Sequence, residues 1–173
     1  MAKLTFYGAT EGVTGSMYLL ETDAATVLLE CGLYQGRREE EKANERPFPF
    51  DIKKLDAVVL SHAHLDHSGR LPKLVADGYN GRLTMTRPTR ELLEIMLKDA
   101  ASLQQRDAEW ENKRRRRAGK KEIEPLYDRD DVDAALAACD GVRYGSRQEV
   151  AQGVEVCFRD AGHILGSSIV ELF

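Results

Sequence analysis

The chain has 173 residues, of which 42% are hydrophobic and 31% charged, with a formal net charge of −4. That is the size of a single domain with one core, and the balance excludes a disordered, collagen-like or coiled-coil chain and argues against a generally basic nucleic-acid binder. No apolar run approaches the roughly 18 residues of a membrane span, and the first residues lack the apolar stretch of a signal peptide, so a soluble, cytoplasmic protein without membrane contact is expected.

Strand-like stretches at Leu4–Tyr7, Met17–Glu21 and Ala25–Glu30 open the chain, joined by a Gly-rich turn around Gly8–Gly15 and by Thr22-Asp23, and predict an antiparallel start. A charged loop from Tyr34 to Phe50 comes next. Leu55–Leu60 is a short continuous apolar run, the pattern of a strand covered on both faces. Leu71, Leu74 and Val75 have helical spacing before Gly78. After a strand at Arg82–Met85, Thr89 is placed to cap a helix. Its apolar stripe is Leu92, Leu93, Met96, Ala100 and Leu103, and it reaches about Trp110.

Gly119 and Pro125 break the pattern beyond that helix. Asp130 then opens a shorter helix with Val132, Leu136 and Cys139, closed by Gly141. Strands are expected again at Val142–Tyr144, Val154–Arg159 and Ser168–Phe173. The chain stops within the last of these, which suggests a cut through a longer fold. Cys31, Cys139 and Cys157 are odd in number, far apart and without a C-x-x-C pair, so they read as small buried apolar groups rather than disulfides or zinc thiolates.

The histidines carry the chemistry. Three of the four fall within Ser61-His62-Ala63-His64-Leu65-Asp66-His67-Ser68-Gly69, and the fourth is His163. The cluster follows an apolar strand and precedes a helix, where layered α/β folds place ligand chemistry. In extended backbone, residues i and i+2 point the same way, so His62 and His64 can present two imidazoles to one ion. Asp66 and His67 come where the chain turns, and can diverge towards a second ion. His163, before the flexible Gly166-Ser167-Ser168, is placed to close on the first. Imidazole with carboxylate suits zinc, with iron or manganese as alternatives. A pair of such ions lowers the pKa of a shared water and clamps the oxygens of a displacement, which points to hydrolysis.

The H-x-H-x-D-H pattern of His62–His67 resembles the signature of the metallo-β-lactamase superfamily. Further stretches are similar to its β-CASP RNA-processing nucleases: Gly8–Ser16, Leu28–Gly36, Leu60–Pro72 and Ala161–Ser167. The resemblance implies the N-terminal part of a four-layer αββα sandwich and a hydrolase cutting RNA phosphodiester bonds with two zinc ions. His62, His64 and His163 would hold one ion, and Asp66 and His67 the other, with Asp66 also orienting the attacking water. The Val13–Ser16 turn would lie beside the site, and Tyr34 and Gln35 are candidates to border it.

Two departures accompany the resemblance. Glu30 stands where the family has an aspartate that supports the ligand histidines from behind. A further bridging aspartate, a final histidine and the β-CASP insertion belong to a region that this chain does not contain. The 173-residue domain is therefore expected to hold the second ion poorly, to have little activity alone, and to expose an apolar sheet face that favours self-association.

The same ligands also suit a DNA nuclease or an ester or thioester hydrolase, and a non-catalytic scaffold is a further alternative. The dense basic run Lys113–Lys121 offers Arg114, Arg115, Arg116 and Arg117 as candidate RNA phosphate contacts. Its flanking glutamates equally fit a solvated, self-paired helix end. Glu39-Glu40-Glu41-Lys42 reads as a solvated loop or helix face.

Overall fold

A computed structural model describes residues 1–10 and 12–173; Glu11, within the Gly8–Ser16 stretch, lies outside the described residues. Among the described residues the strands form two sheets. The larger holds β1 (Lys3–Phe6), β2 (Tyr18–Glu21), β3 (Thr26–Leu29), β4 (Ala57–Val59), β5 (Arg82–Thr86) and β6 (Cys139–Val142) in that spatial order. Its first three strands are antiparallel, and β3 to β6 run parallel. The smaller is antiparallel: β7 (Arg147–Ala151), β8 (Val154–Asp160) and β9 (Ser168–Leu172), with an irregularity between Glu149 and Ala151. The helices are α1 (Arg38–Glu41), α2 (Leu65–Ser68), α3 (Leu71–Ala76), α4 (Arg87–Arg117) and α5 (Arg129–Ala137).

Consecutive residues of the central strands enter different cores, which is why those strands read as unbroken apolar runs. Leu28, Val58, Leu60, Leu83 and Met85 meet Leu71 and Leu74 of α3, Leu93 and Leu97 of α4, and Val132 and Ala135 of α5. On the other face Val27, Ala57 and Val59 meet Val154, Val156 and Phe158 of β8, with Val170 and Leu172 of β9 against them. The result is a layer of helices, a mixed sheet and a second sheet, three layers of the αββα sandwich.

The outer face of the small sheet exposes Ile169 and Phe173 among charged side chains. Arg147 pairs with Glu155 at 3.3 Å and Arg159 with Glu171 at 2.8 Å, and the Arg147 guanidinium lies 3.4 Å from the Phe173 ring centroid. Cys157 is buried beneath these side chains, Cys31 is buried and Cys139 half-buried.

Several boundaries differ from the sequence reading. Thr86, not Thr89, caps α4: its backbone is extended and its side chain accepts the Thr89 N–H, while Pro88 occupies the first turn, where its missing N–H costs nothing. The helix runs past Trp110 to Arg117, supported by Glu111 pairing with Arg114 and Arg115 and by cations at its C-terminal end. Leu97 is fully buried whereas Leu103 is 46% exposed, so the latter is not a core residue. A capping box of Asp128 and Asp131, rather than Asp130, opens α5, and Gly141 lies within β6 instead of ending the helix. The charged 34–50 segment contains α1 and a 3-10 turn at Lys42–Glu45.

Candidate metal centre

β4 delivers the first ligand candidates. Its buried run ends at Leu60, whose N–H still bonds Thr84 O, and the chain then leaves the sheet as Ser61–His64 before α2. The α2 turn is held at its start by Ser68, whose hydroxyl is within bonding reach of the Ala63 and His64 carbonyls.

The segment after β3 is threaded alongside this turn. Cys31 N–H donates to His67 O at 2.7 Å, Leu33 N–H to Leu65 O at 2.8 Å, and Ser16 N–H to Asp66 O at 2.9 Å. The Ser16 contact places the end of the Gly8–Ser16 turn beside the site. Only glycine fits at position 32, because a Cβ there would stand 1.7 Å from Asp66 O. Tyr34 and Gln35 turn to that glycine-rich stretch instead: Tyr34 OH donates to Tyr7 O and Gln35 N–H to Thr14 Oγ1.

His163 arrives from the other sheet, on the loop between β8 and β9. The loop folds on itself, since Ser167 Oγ accepts the N–H groups of both His163 and Ile164 at 3.1 Å. Ser168 joins it to the first cluster by donating N–H and hydroxyl to Ser61 O at 3.0 and 2.9 Å.

The four rings converge. His64 Nδ1 lies 3.2 Å from His62 Nε2 and 3.2 Å from His163 Nε2, and the ligand atoms of these three residues are all within 4.8 Å of one another. His67 packs on His62 with ring centroids 4.1 Å apart, and its Nε2 faces Asp66 Oδ2 at 3.6 Å. Behind it, Nδ1 faces Glu30 Oε2 at 3.4 Å, and Glu30 Oε1 accepts the Ser61 N–H at 3.0 Å. Glu30 thus reaches both the backbone ahead of His62 and the ring of His67.

Electrostatics divide the cluster in two. Burial, reinforced by His67, His64 and His163, pushes His62 down to about 4, so it is neutral and offers a lone pair at neutral pH. At His67 burial acts in the same direction, but the bond to Glu30 and the charges of Glu30 and Asp66 outweigh it and raise the ring above its ordinary value.

The donor set fits a metal ion. One nitrogen, His64 Nδ1, meets two others at hydrogen-bond distance, and a single ring proton there cannot serve both contacts. A cation among the three nitrogens satisfies all of them at once. Ser61 Oγ, 2.9 Å from His62 Nδ1, is placed to hold a proton on that nitrogen and leave Nε2 free. Among the described residues Glu30 Oε2 and His67 Nδ1 have no well-formed hydrogen bond, and they face each other, the arrangement that directs Nε2 forward. Ser61 carries no pattern that sequence reading would single out.

A profile described as the Metallo-beta-lactamase superfamily matches residues 10–145. This chain belongs to that superfamily. Among its relatives, "Ribonuclease TTHA0252" of Thermus thermophilus is 40% identical over 164 residues, covering 95% of this chain and 33% of the relative. "Transcription termination factor FttA" of Methanothermobacter thermautotrophicus is 32% identical, covering 99% of this chain and 25% of the relative. The chain therefore spans about a quarter to a third of the length of these relatives.

Solved structures repeat the fold. "Rm3 metallo-beta-lactamase" superposes with a TM-score of 0.56 at 18% identity, covering 98% of this chain and 53% of that one. A flavo di-iron protein mutant from Thermotoga maritima gives 0.54 at 18% identity, covering 90% and 30%.

Within this metallo-β-lactamase fold the basic run lies far from the histidines. α4 starts beside the His163 loop, and at 1.5 Å per residue Arg114–Arg117 lie roughly 40 Å along it. Arg114 and Arg115 face Glu111, and Arg116 bonds Glu122 at 2.9 Å. No helix among the described residues is long and apolar enough to cross a membrane.

Proposed function

We propose that this chain is the metal-holding part of a β-CASP-type hydrolase that cuts RNA phosphodiester bonds. The observation that carries the reading is the convergence of His62, His64 and His163 from two sheets onto one point, beside Asp66 and His67. In this reading His62, His64 and His163 hold one zinc ion, and Asp66 and His67 contribute to a second, a donor set that suits zinc. When bound, such a pair of ions supplies Lewis-acid charge for activating water and for the displacement at phosphorus.

The chain's own residues do the rest. Glu30 holds the proton on His67 Nδ1 and keeps Nε2 directed forward. Ser61 does the same for His62 through its Nδ1. The Asp66 carboxylate accepts a hydrogen bond from the attacking water and orients it towards phosphorus. RNA is favoured over DNA or a thioester because the relative that is 40% identical bears the name ribonuclease. The relatives extend well beyond the matched span, and on this reading the grip on the polymer and the rest of the second ion's shell belong to that remainder. The 173-residue chain then holds one ion tightly and cleaves slowly.

Elemental analysis of the zinc-loaded chain, with His62→Ala beside it, tests the site: about one tightly held zinc, lost in the variant, is expected, and a wild-type chain without zinc overturns the reading. Incubation with single-stranded RNA, single-stranded DNA and a thioester tests the substrate. Slow, chelator-sensitive cleavage confined to RNA is expected, and preferential thioester hydrolysis overturns it.

A further inference from the structure

His163 is the most exposed of the three clustered histidines and sits on a loop with two left-handed glycines, Gly162 at φ +65° and Gly166 at φ +84°. Its internal bonds shape the loop but do not place it on the protein. Placement comes from outside. The Gly166 carbonyl lies 2.7 Å from Thr86 Oγ1 and 2.8 Å from Thr89 Oγ1, the Ser167 carbonyl accepts Tyr144 OH at 2.9 Å, and Ser168 bonds Ser61 O.

We propose that Thr86 and Thr89 are positioning residues for the metal centre, fixing the Gly166 carbonyl with paired hydroxyls so that the 161–167 loop holds the His163 ring against His64. The proposal rests on the metal reading above. Both threonines are fully buried. Each hydroxyl has one hydrogen to give, and a carbonyl oxygen has two lone pairs to receive them. Thr86 Oγ1 additionally accepts the Thr89 N–H, which caps α4. The Thr89 hydroxyl has no part in that cap: apart from its 2.9 Å contact with Thr86 Oγ1, its partner is Gly166 O.

The fit is close enough that a Cβ on Gly166 would stand 2.3 Å from Thr89 N and 2.6 Å from Thr89 Oγ1. The loop therefore sits directly on the first turn of α4, with no side chain between them. Removing the Thr89 hydroxyl leaves the helix cap in place and frees one of the two bonds that seat the loop.

The test is cobalt(II) titration of the 173-residue chain, read by visible absorption, in wild type, Thr89→Val, Thr89→Ser and Tyr144→Phe. Residues that orient a metal ligand typically contribute 10- to 100-fold in affinity, so Thr89→Val should bind at least about tenfold more weakly, with an altered ligand-field spectrum. Thr89→Ser, which keeps the hydroxyl, should match wild type. In the metal-free chain, amide exchange at Ile164 and Ser167 should quicken in Thr89→Val. Should Thr89→Val not fold, Tyr144→Phe, altered at a partly exposed ring, decides by a smaller loss of the same sign. Unchanged affinity and exchange in the folded variant overturn the proposal alone. A wild-type chain that binds no cobalt overturns the metal reading and this proposal with it.

Discussion

Glu30 bridges the two halves of the histidine cluster: Oε1 accepts the Ser61 N–H at 3.0 Å while Oε2 stands 3.4 Å from His67 Nδ1. The family resemblance puts an aspartate here, and the longer arm reaches its partners from an unusual backbone. Glu30 lies at φ +62°, a left-handed conformation for a residue with a side chain, and its own N–H is tied to Val59 O at 3.0 Å. Glu30→Gln keeps an acceptor for Ser61 but removes the charge behind His67. It should weaken the second, looser zinc-binding step by about 10- to 100-fold and leave the first step unchanged, as read by calorimetric titration. A second step of wild-type affinity in the variant would show that His67 is oriented by packing alone.

In the metal-free chain the buried His62 and the half-buried His67 act on stability in opposite directions. His62 is pushed down to about 4 from an ordinary 6.5, so between those values the unfolded chain binds more protons and stability rises with pH. His67 is raised; its contribution is complete below 6.5 and is lost as pH climbs through its folded value. Chelator-treated protein should therefore melt highest near pH 6.5. His62→Gln should flatten the acid limb and Glu30→Gln the alkaline one. Calorimetric melting across this range checks both, and a midpoint that only rises with pH past neutrality would contradict the His67 assignment.

The features legible in the sequence were local. The apolar run ending at Leu60 and the His62–His67 spacing lie within a dozen residues, and the fold keeps those histidines side by side. His163 stands out in the sequence as the one histidine outside that cluster. Pairings across long separations left no such trace: Thr89 and Gly166 are 77 residues apart, and nothing in Thr86-Arg87-Pro88-Thr89 announces which threonine caps the helix and which holds a loop. β7 is not legible in the sequence because Arg147 and Glu149 point to solvent and the strand has little apolar pattern. The phase of α4 differs from the one its large apolar residues predict because small residues, Ala100, Ala101 and Ala108, form much of its buried side.

That phase can be tested directly. Leu97 is fully buried against the large sheet and Leu103 is 46% exposed. Leu97→Ala should destabilise the chain by about 2–5 kcal/mol through lost burial and the cavity left behind. Leu103→Ala should change stability by no more than about 0.5 kcal/mol. Urea unfolding of both variants makes the comparison, and equal losses would place both leucines in the core.

The arginines at the end of α4 should matter little to the chemistry. Arg114, Arg115 and Arg116 already face Glu111 and Glu122 in surface pairs, partly covered at Glu111 and Arg115, of the kind worth about 0–1 kcal/mol each, and they stand roughly 40 Å of helix away from the histidines. Changing Arg114–Arg117 to serine should leave zinc content untouched and lower the melting temperature only slightly. Affinity for a short single-stranded RNA should keep its salt dependence. A phosphate track would behave differently, because every cation that no longer neutralises a phosphate of a single strand lowers the log–log salt slope by about 0.7. A slope reduced by about 2 or more would therefore assign these side chains to RNA rather than to their neighbouring glutamates.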